Sequence, residues 1–243
     1  MSGLRREIVF DTETTGFEPS QGHRIVEIGA LELINHVPTG RVFHEYNNPA
    51  RDMPEEAYAV HGLGEDFLSS KPVFAAIADS FVHFIEYTGD GRPDPAMLIA
   101  HNAAFDMRFV NHELGQLGHA PIDPTRVIDS LEIARNRYPG APNSLDALCR
   151  RFDVDRSARI KHGALLDSEL LAEVYLHLIG GRQPDLGLAQ RHASGDLGDT
   201  VTVERPFRAP RPHAASDEER AAHSAFLQKL SGPLWQRYLD ETP

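Results

Sequence analysis

Residues 7–16, EIVFDTETTG, begin as a short apolar run and stop at two carboxylates and a small polar turn. The run Glu7–Phe10 predicts a buried strand, with Asp11 and Glu13 two residues apart at its end. Side chains alternate faces along a strand, so Asp11 and Glu13 project from one side and Thr12 from the other. Two like charges aimed at one spot repel unless a cation lies between them, so the stretch reads as half of a divalent-metal cage. A solvated Asp-Thr-Glu turn is the plainer alternative, which this stretch alone leaves open. Thr14, Thr15 and Gly16 add hydroxyls and a backbone that a ligand can approach closely.

Downstream, Arg24–Ile34 predicts a second strand and Gly40–Tyr46 a third, joined through Asn35–Thr39 as a hairpin. Arg51–Leu68 reads as loop and short helix. Lys71–Tyr87 carries Phe74, Ile77, Phe81, Phe84 and Ile85 at the spacing of an amphipathic helix. Met97–Ala100 predicts a short buried strand that ends in HNAAFD and runs into a helix holding Met107, Phe109, Val110 and Leu114. Val127 and Ile128 suggest a fifth strand, with helices at about 130–137, 143–152 and 164–179. Antiparallel strands first and β-to-α alternation afterwards predict an α/β fold, a mixed sheet with helices packed on it.

Two further constellations join the first. Asp106 lies just past a strand end and starts a helix, where open α/β sheets keep their ligands. His162 and Asp167 occur in KHGALLDSELLAEVYLHLI, the aspartate on the first turns of an apolar helix and the histidine in the glycine-containing segment before it. Singly, Asp106 reads as a helix-start acid, Asp167 as an exposed helical acid and His162 as one of 13 histidines. Jointly, four acids and a histidine fall at strand ends and a helix start that one mixed sheet brings together.

Composition bounds the rest. The chain has 243 residues, 41% hydrophobic and 25% charged, an ordinary balance for a soluble globular protein. No apolar run approaches the roughly 20 residues of a bilayer span, and the expected address is cytoplasmic. Cys149, the single cysteine, sits in the helical pattern SLDALCRRF and reads as a small core residue. The net charge of −12 is the wrong sign for a protein that blankets phosphates with Lys and Arg. Residues 1–180 hold 27 acidic and 16 basic side chains, against 9 and 8 in residues 181–243. Contact with nucleic acid is therefore expected to be local, or assisted by metal ions that reverse the field among the carboxylates.

The motifs FDTETTG, HNAAFD and HGALLD resemble the three exonuclease motifs of the DEDD superfamily, in its histidine-containing branch. More narrowly, Ile8 to about Ile179 resembles the epsilon proofreading subunits of bacterial DNA polymerase III, through RIVEIGALEL, VHGL, FLSSKP, VIDSLEIAR and NSLDALCRRF as well. The resemblance implies a ribonuclease-H-like exonuclease fold with a five-stranded mixed sheet flanked by helices. It assigns metal ligation to Asp11, Glu13, Asp106 and Asp167 and the general base to His162. By the same match Thr14, Glu56, His61 and Asn102 contact the terminal nucleotide. The chemistry agrees: all-oxygen ligation selects hard cations such as Mg²⁺ or Mn²⁺. Two such ions, about 3.5 to 4 Å apart, clamp the attacking and leaving oxygens of a phosphoryl displacement. A histidine titrating near neutrality can take the proton of the attacking water.

Beyond residue 180 the pattern changes. Residues 181–215 lack periodicity and read as a flexible linker after an exonuclease domain over 1–180. Within it, Gln183, Leu186 and Leu188 resemble a peptide for the sliding clamp, though without the usual terminal aromatic. Residues 216–243 predict a docking helix followed by PLWQRYL, whose Phe226, Leu227, Leu230, Leu234 and Trp235 need a partner to be buried. The resemblance makes that partner the alpha polymerase subunit; folding back on its own domain is the alternative. The leading expectation is a 3′-to-5′ DNA exonuclease that acts on a frayed 3′ end and releases nucleoside 5′-monophosphates. The rivals are a free-standing RNA or oligonucleotide exonuclease and a non-enzymatic tether between polymerase and clamp.

Overall fold

The computed structural model describes residues 5–157, 159, 161–181 and 215–229. Its centre is β1 (Arg6–Thr14), flanked by β2 (Ile25–Ile34) and β3 (Val37–Tyr46) on one side and by β4 (Met97–Ala100) and β5 (Val127–Asp129) on the other. The order is β3-β2-β1-β4-β5. β1, β2 and β3 pair antiparallel, whereas β4 and β5 run parallel to β1. This is the five-stranded mixed sheet that the resemblance implies.

Strand β1 outlasts its apolar run. Its pairing with β2 continues through Asp11↔Gly29 and Glu13↔Glu27 to Thr14↔Ile25, where the register shifts. Both acids thus stand on regular strand, and their common face is fixed by the ladder. The hairpin between β2 and β3 is tighter than the expected Asn35–Thr39 connection. Asn35 and His36 both adopt positive φ, 49° and 66°, the two-residue turn that matches strand twist. Pro38 is tolerated inside β3 because that strand lies at the sheet edge.

Alternation along β1 separates two cores. Ile8 and Phe10 face α3 (Phe74–Glu86) and α4 (Ala103–Gln116), where Phe81, Phe84, Phe109 and Val110 are buried with them. Val9 faces α7 (Ala164–Leu178) and packs with Leu31, Leu33, Ile99, Leu171 and Tyr175. Beyond it, α5 (Ser130–Arg137) and α6 (Leu145–Phe152) close a smaller cluster around Cys149 and Leu148, both fully buried. Burying a side chain such as Phe10 or Phe109 contributes about 1.5 to 3 kcal/mol, so these contacts hold the helices to their faces. Two short helices, α1 (Glu55–His61) and α2 (Glu65–Leu68), follow β3.

The chain divides into compact units at residues 1–188 and 189–243. In the second, α8 (Asp217–Leu227) begins with a capping box in which Ser216 and Glu219 exchange side-chain and backbone hydrogen bonds. Phe226 is exposed there and Leu227 buried. Gln183, Leu186 and Leu188, like Leu230, Leu234 and Trp235, lie outside the described residues. Among the described residues no helix is long and apolar enough to cross a membrane.

Candidate active site

The acids arrive from both faces of the sheet. Asp11 and Glu13 project from β1 toward the α7 side, as the strand period requires. Asp167 comes from the first turns of α7, which lies hard against β2 at Gly29, whose carbonyl accepts the Ser168 hydroxyl at 2.9 Å. A side chain at Gly29 would collide with the backbone of Ala164 and Leu165, so glycine is what lets α7 come this near. Asp106 reaches the same strand end from α4 on the opposite face. There Thr12, pointing away from Asp11 and Glu13, donates its hydroxyl at 2.7 Å and its backbone N–H at 3.1 Å to Asp106 Oδ1. The alternation that pairs two acids on one face thus gives the third its clamp on the other.

Electrostatics record a site with excess negative charge. Burial and then the charges of Asp106, Glu13 and Asp167 push the Asp11 carboxyl well above its ordinary range. Burial, then Asp167 and Glu27, raise Glu13 to about 8. Burial also lifts Asp106 to about 7, against the stabilising hydrogen bonds of Thr12. Asp167 goes the other way: burial would raise it, but hydrogen bonds from His162 and Arg159 outweigh that and hold it below the usual carboxylate range. Among the described residues, Glu13, His162 and Asp167 each bring a donor atom to within 4.8 Å of one another. Carboxylates without thiolate, three of them held where they resist ionisation, fit a hard divalent cation that would neutralise them.

His162 is half-exposed and sits before α7, its Nδ1 3.1 Å from Asp167 Oδ2. Its backbone N–H donates to the Val60 carbonyl at 3.3 Å, which ties the segment to α1. A cavity of about 360 Å³ opens beside these groups, lined by Thr14, Glu56 and His61 together with Phe17 and Phe105. His61 is buried, and burial lowers its pKa; its Nδ1 accepts the Leu63 N–H at 3.0 Å. Asn102 does not line this cavity. It occupies a left-handed turn between β4 and α4, with φ 66°, and donates its N–H to Asp129.

An exonuclease family model, RNase T, matches residues 8–175. DNA polymerase III subunit epsilon of Rickettsia prowazekii is 56% identical over 238 residues, covering 95% of this chain and 98% of that one. The chain belongs to the exonuclease family and, within it, to the DNA polymerase III epsilon subunits. The epsilon subunit of Escherichia coli is 43% identical over 249 residues, covering 97% and 99%. Among solved structures, the nuclease domain of 3′hExo, a DEDDh family member bound to rAMP, superposes with a TM-score of 0.60 at 17% identity, over 75% of this chain and 96% of that one. That likeness establishes the fold, and the fold of this exonuclease family implies dependence on divalent metal.

Three features of this exonuclease site were not read from the sequence. Glu27, buried opposite Glu13 and bonded to His44 Nε2 at 2.7 Å, adds a fifth acid at the edge of the cluster. Phe17, 81% exposed, and Phe105 give the cavity aromatic walls. Arg159 donates to both oxygens of Asp167, at 2.5 Å and 2.6 Å. Its place three residues before His162 was the available signal.

Proposed function

We propose that the chain is the proofreading exonuclease of a replicative DNA polymerase, removing mispaired nucleotides from a 3′ end as nucleoside 5′-monophosphates. The observation that carries this reading is the convergence of Asp11, Glu13, Asp106, Asp167 and His162 on one strand end, beside a cavity with aromatic walls.

The four carboxylates would hold two divalent ions, Mg²⁺ or Mn²⁺. When bound, such ions supply Lewis-acid stabilisation of the charge that develops as a phosphodiester is hydrolysed. The chain's own groups do the rest. Phe17 and Phe105 offer faces on which the terminal base stacks, while Thr14, Glu56 and His61 line the floor and sides. Asn102, in the turn between β4 and α4, contacts the terminal nucleotide from outside that cavity. His162 accepts the proton of a water that attacks the terminal phosphorus, the bond from phosphorus to the 3′-oxygen breaks, and a nucleoside 5′-monophosphate departs. A histidine half in solvent is well placed to shed that proton.

Residues 1–180 form the nuclease domain, 181–215 a linker that offers Gln183, Leu186 and Leu188 to the sliding clamp, and 216–243 the segment that docks on the alpha polymerase subunit. The exposed Phe226 of α8 is part of that docking surface, with Leu230, Leu234 and Trp235, whereas Leu227 is already buried and is not available to it. Such an enzyme receives a frayed 3′ end from its polymerase in the cytoplasm, so a net charge of −12 is no obstacle.

The test compares 3′-mispaired DNA with single-stranded RNA of the same sequence in Mg²⁺, for the full chain and for a chain ended after residue 180, beside a pull-down with the polymerase subunit. Faster hydrolysis of DNA by both forms, with binding lost on truncation, supports the reading. Equal or faster hydrolysis of RNA favours a free-standing RNA exonuclease, and undiminished binding removes the docking segment.

A further inference from the structure

Arg159 has no part in the mechanism above, yet its side chain is only 7% exposed and each nitrogen of its guanidinium is engaged at the site. Nε and Nη2 fork onto Oδ1 and Oδ2 of Asp167, Nη2 also lies 2.7 Å from His162 Nδ1, and Nη1 donates to Asp146 Oδ1 at 2.7 Å. Among the described residues no arginine or lysine lies within ion-pair distance of Asp11, Glu13 or Asp106. Among the described residues one guanidinium is therefore the cation paired with the cluster, and it is committed to a single member.

We propose that Arg159 is the built-in counter-charge of this site, a positioning residue that holds Asp167 and His162 in place and competes with divalent cations for Asp167. The inference rests on the reading of Asp167 as a metal ligand. A planar guanidinium matches a carboxylate bidentately and engages both of its oxygens. A divalent ion arriving at Asp167 must share that electron density and lie close to a like charge, so each cation weakens the hold of the other. Asp146, at 42% side-chain exposure on α6, gives the guanidinium a second anchor outside the acid cluster. Arg159 can thus loosen its fork on Asp167 without leaving the site. The same movement leaves His162 Nδ1 with Asp167 as its one partner, the hydrogen bond that leaves Nε2 to accept a proton.

The experiment follows the melting temperature of the full chain while Mn²⁺ is titrated from zero, for wild type, Arg159→Gln and Arg159→Lys. In Arg159→Gln the metal-free melting temperature should fall and the half-saturating Mn²⁺ concentration should drop roughly tenfold, the effect of losing one charge-assisted competitor. Arg159→Lys, which keeps the charge but not the fork, should lie between. A half-saturation in Arg159→Gln equal to or above wild type overturns the inference while leaving the metal site standing. No Mn²⁺ response in wild type overturns both. Should Arg159→Gln not fold, Asp146→Asn decides, because a guanidinium left to Asp167 and His162 alone should raise the half-saturating concentration; no rise overturns the inference.

Discussion

Gly29 of β2 and Leu165 of α7 approach so closely that a side chain at Gly29 would strike the Leu165 backbone nitrogen. Gly29 is also the cross-strand partner of Asp11, and Leu165 precedes Asp167 by two residues, so this contact sets how far apart two of the acids stand. Gly29→Ala should push the start of α7 outward. Overpacking of this kind costs about 1 to 3 kcal/mol, and a displacement near 1 Å at reacting groups costs about a hundredfold in rate. Chemical denaturation and single-turnover hydrolysis, run together, check both numbers. A variant with wild-type rate removes the contact from the account.

Stability should depend on pH in the metal-free protein and lose that dependence when metal is bound. Glu13 titrates at about 8 when folded, against an ordinary value of 4.5, so between those values the folded chain binds more proton at this group than the unfolded chain. Its contribution is present below pH 4.5 and is lost as pH rises through 8. Asp11, raised by burial and its neighbours, acts in the same direction. In EDTA the melting temperature should therefore fall as pH climbs from about 5 to 9, and Glu13→Gln should flatten that fall. Saturating Mn²⁺ should abolish it. A melting temperature that rises through this window in EDTA contradicts the charge balance described for the site.

His162→Ala should slow the chemical step by about 10² to 10⁴, the usual worth of a general base, while the Mn²⁺-induced rise in melting temperature persists. Stopped-flow hydrolysis and the thermal titration separate the two roles. Loss of the metal response would make His162 a ligand instead.

Phe17, exposed on the cavity rim, should act on binding alone. Stacking of a base on an aromatic ring is worth about 1 to 3 kcal/mol, so Phe17→Ala should raise KM by about fivefold to a hundredfold with kcat little changed. Steady-state kinetics on a short single strand give the split, and an unchanged KM would show that the ring meets no base.

Much of this was legible along the chain. Met97–Ala100 and 130–137 form the strand and helix read from the sequence, because apolar runs bounded by turn residues leave few alternatives. Asp11 and Glu13 could be placed on one face from the two-residue period of a strand. That β1 reaches Thr14 could not be read there, because those polar residues are held by the ladder to β2. Nor could the clamp of Thr12 on Asp106 or the glycine contact under α7, each of which joins residues far apart in sequence and leaves no periodic trace. The sequence makes the hairpin connection too long because Pro38 favours loops, whereas an edge strand accommodates it.

The central claim is that Asp11 and Asp167 serve one metal-dependent 3′ exonuclease centre. Its most direct test is the release of nucleoside 5′-monophosphate from a 3′-mispaired DNA primer by wild type, Asp11→Ala and Asp167→Ala, in Mg²⁺ and in EDTA, with melting temperatures recorded in EDTA. Wild type should hydrolyse in Mg²⁺ and not in EDTA, and both variants should be inactive in either. Asp11→Ala should melt no lower than wild type, because it relieves repulsion among acids, whereas Asp167→Ala should melt lower, because it strands the fork of Arg159. Hydrolysis near the wild-type rate by either variant in Mg²⁺, or by wild type in EDTA, would contradict the account.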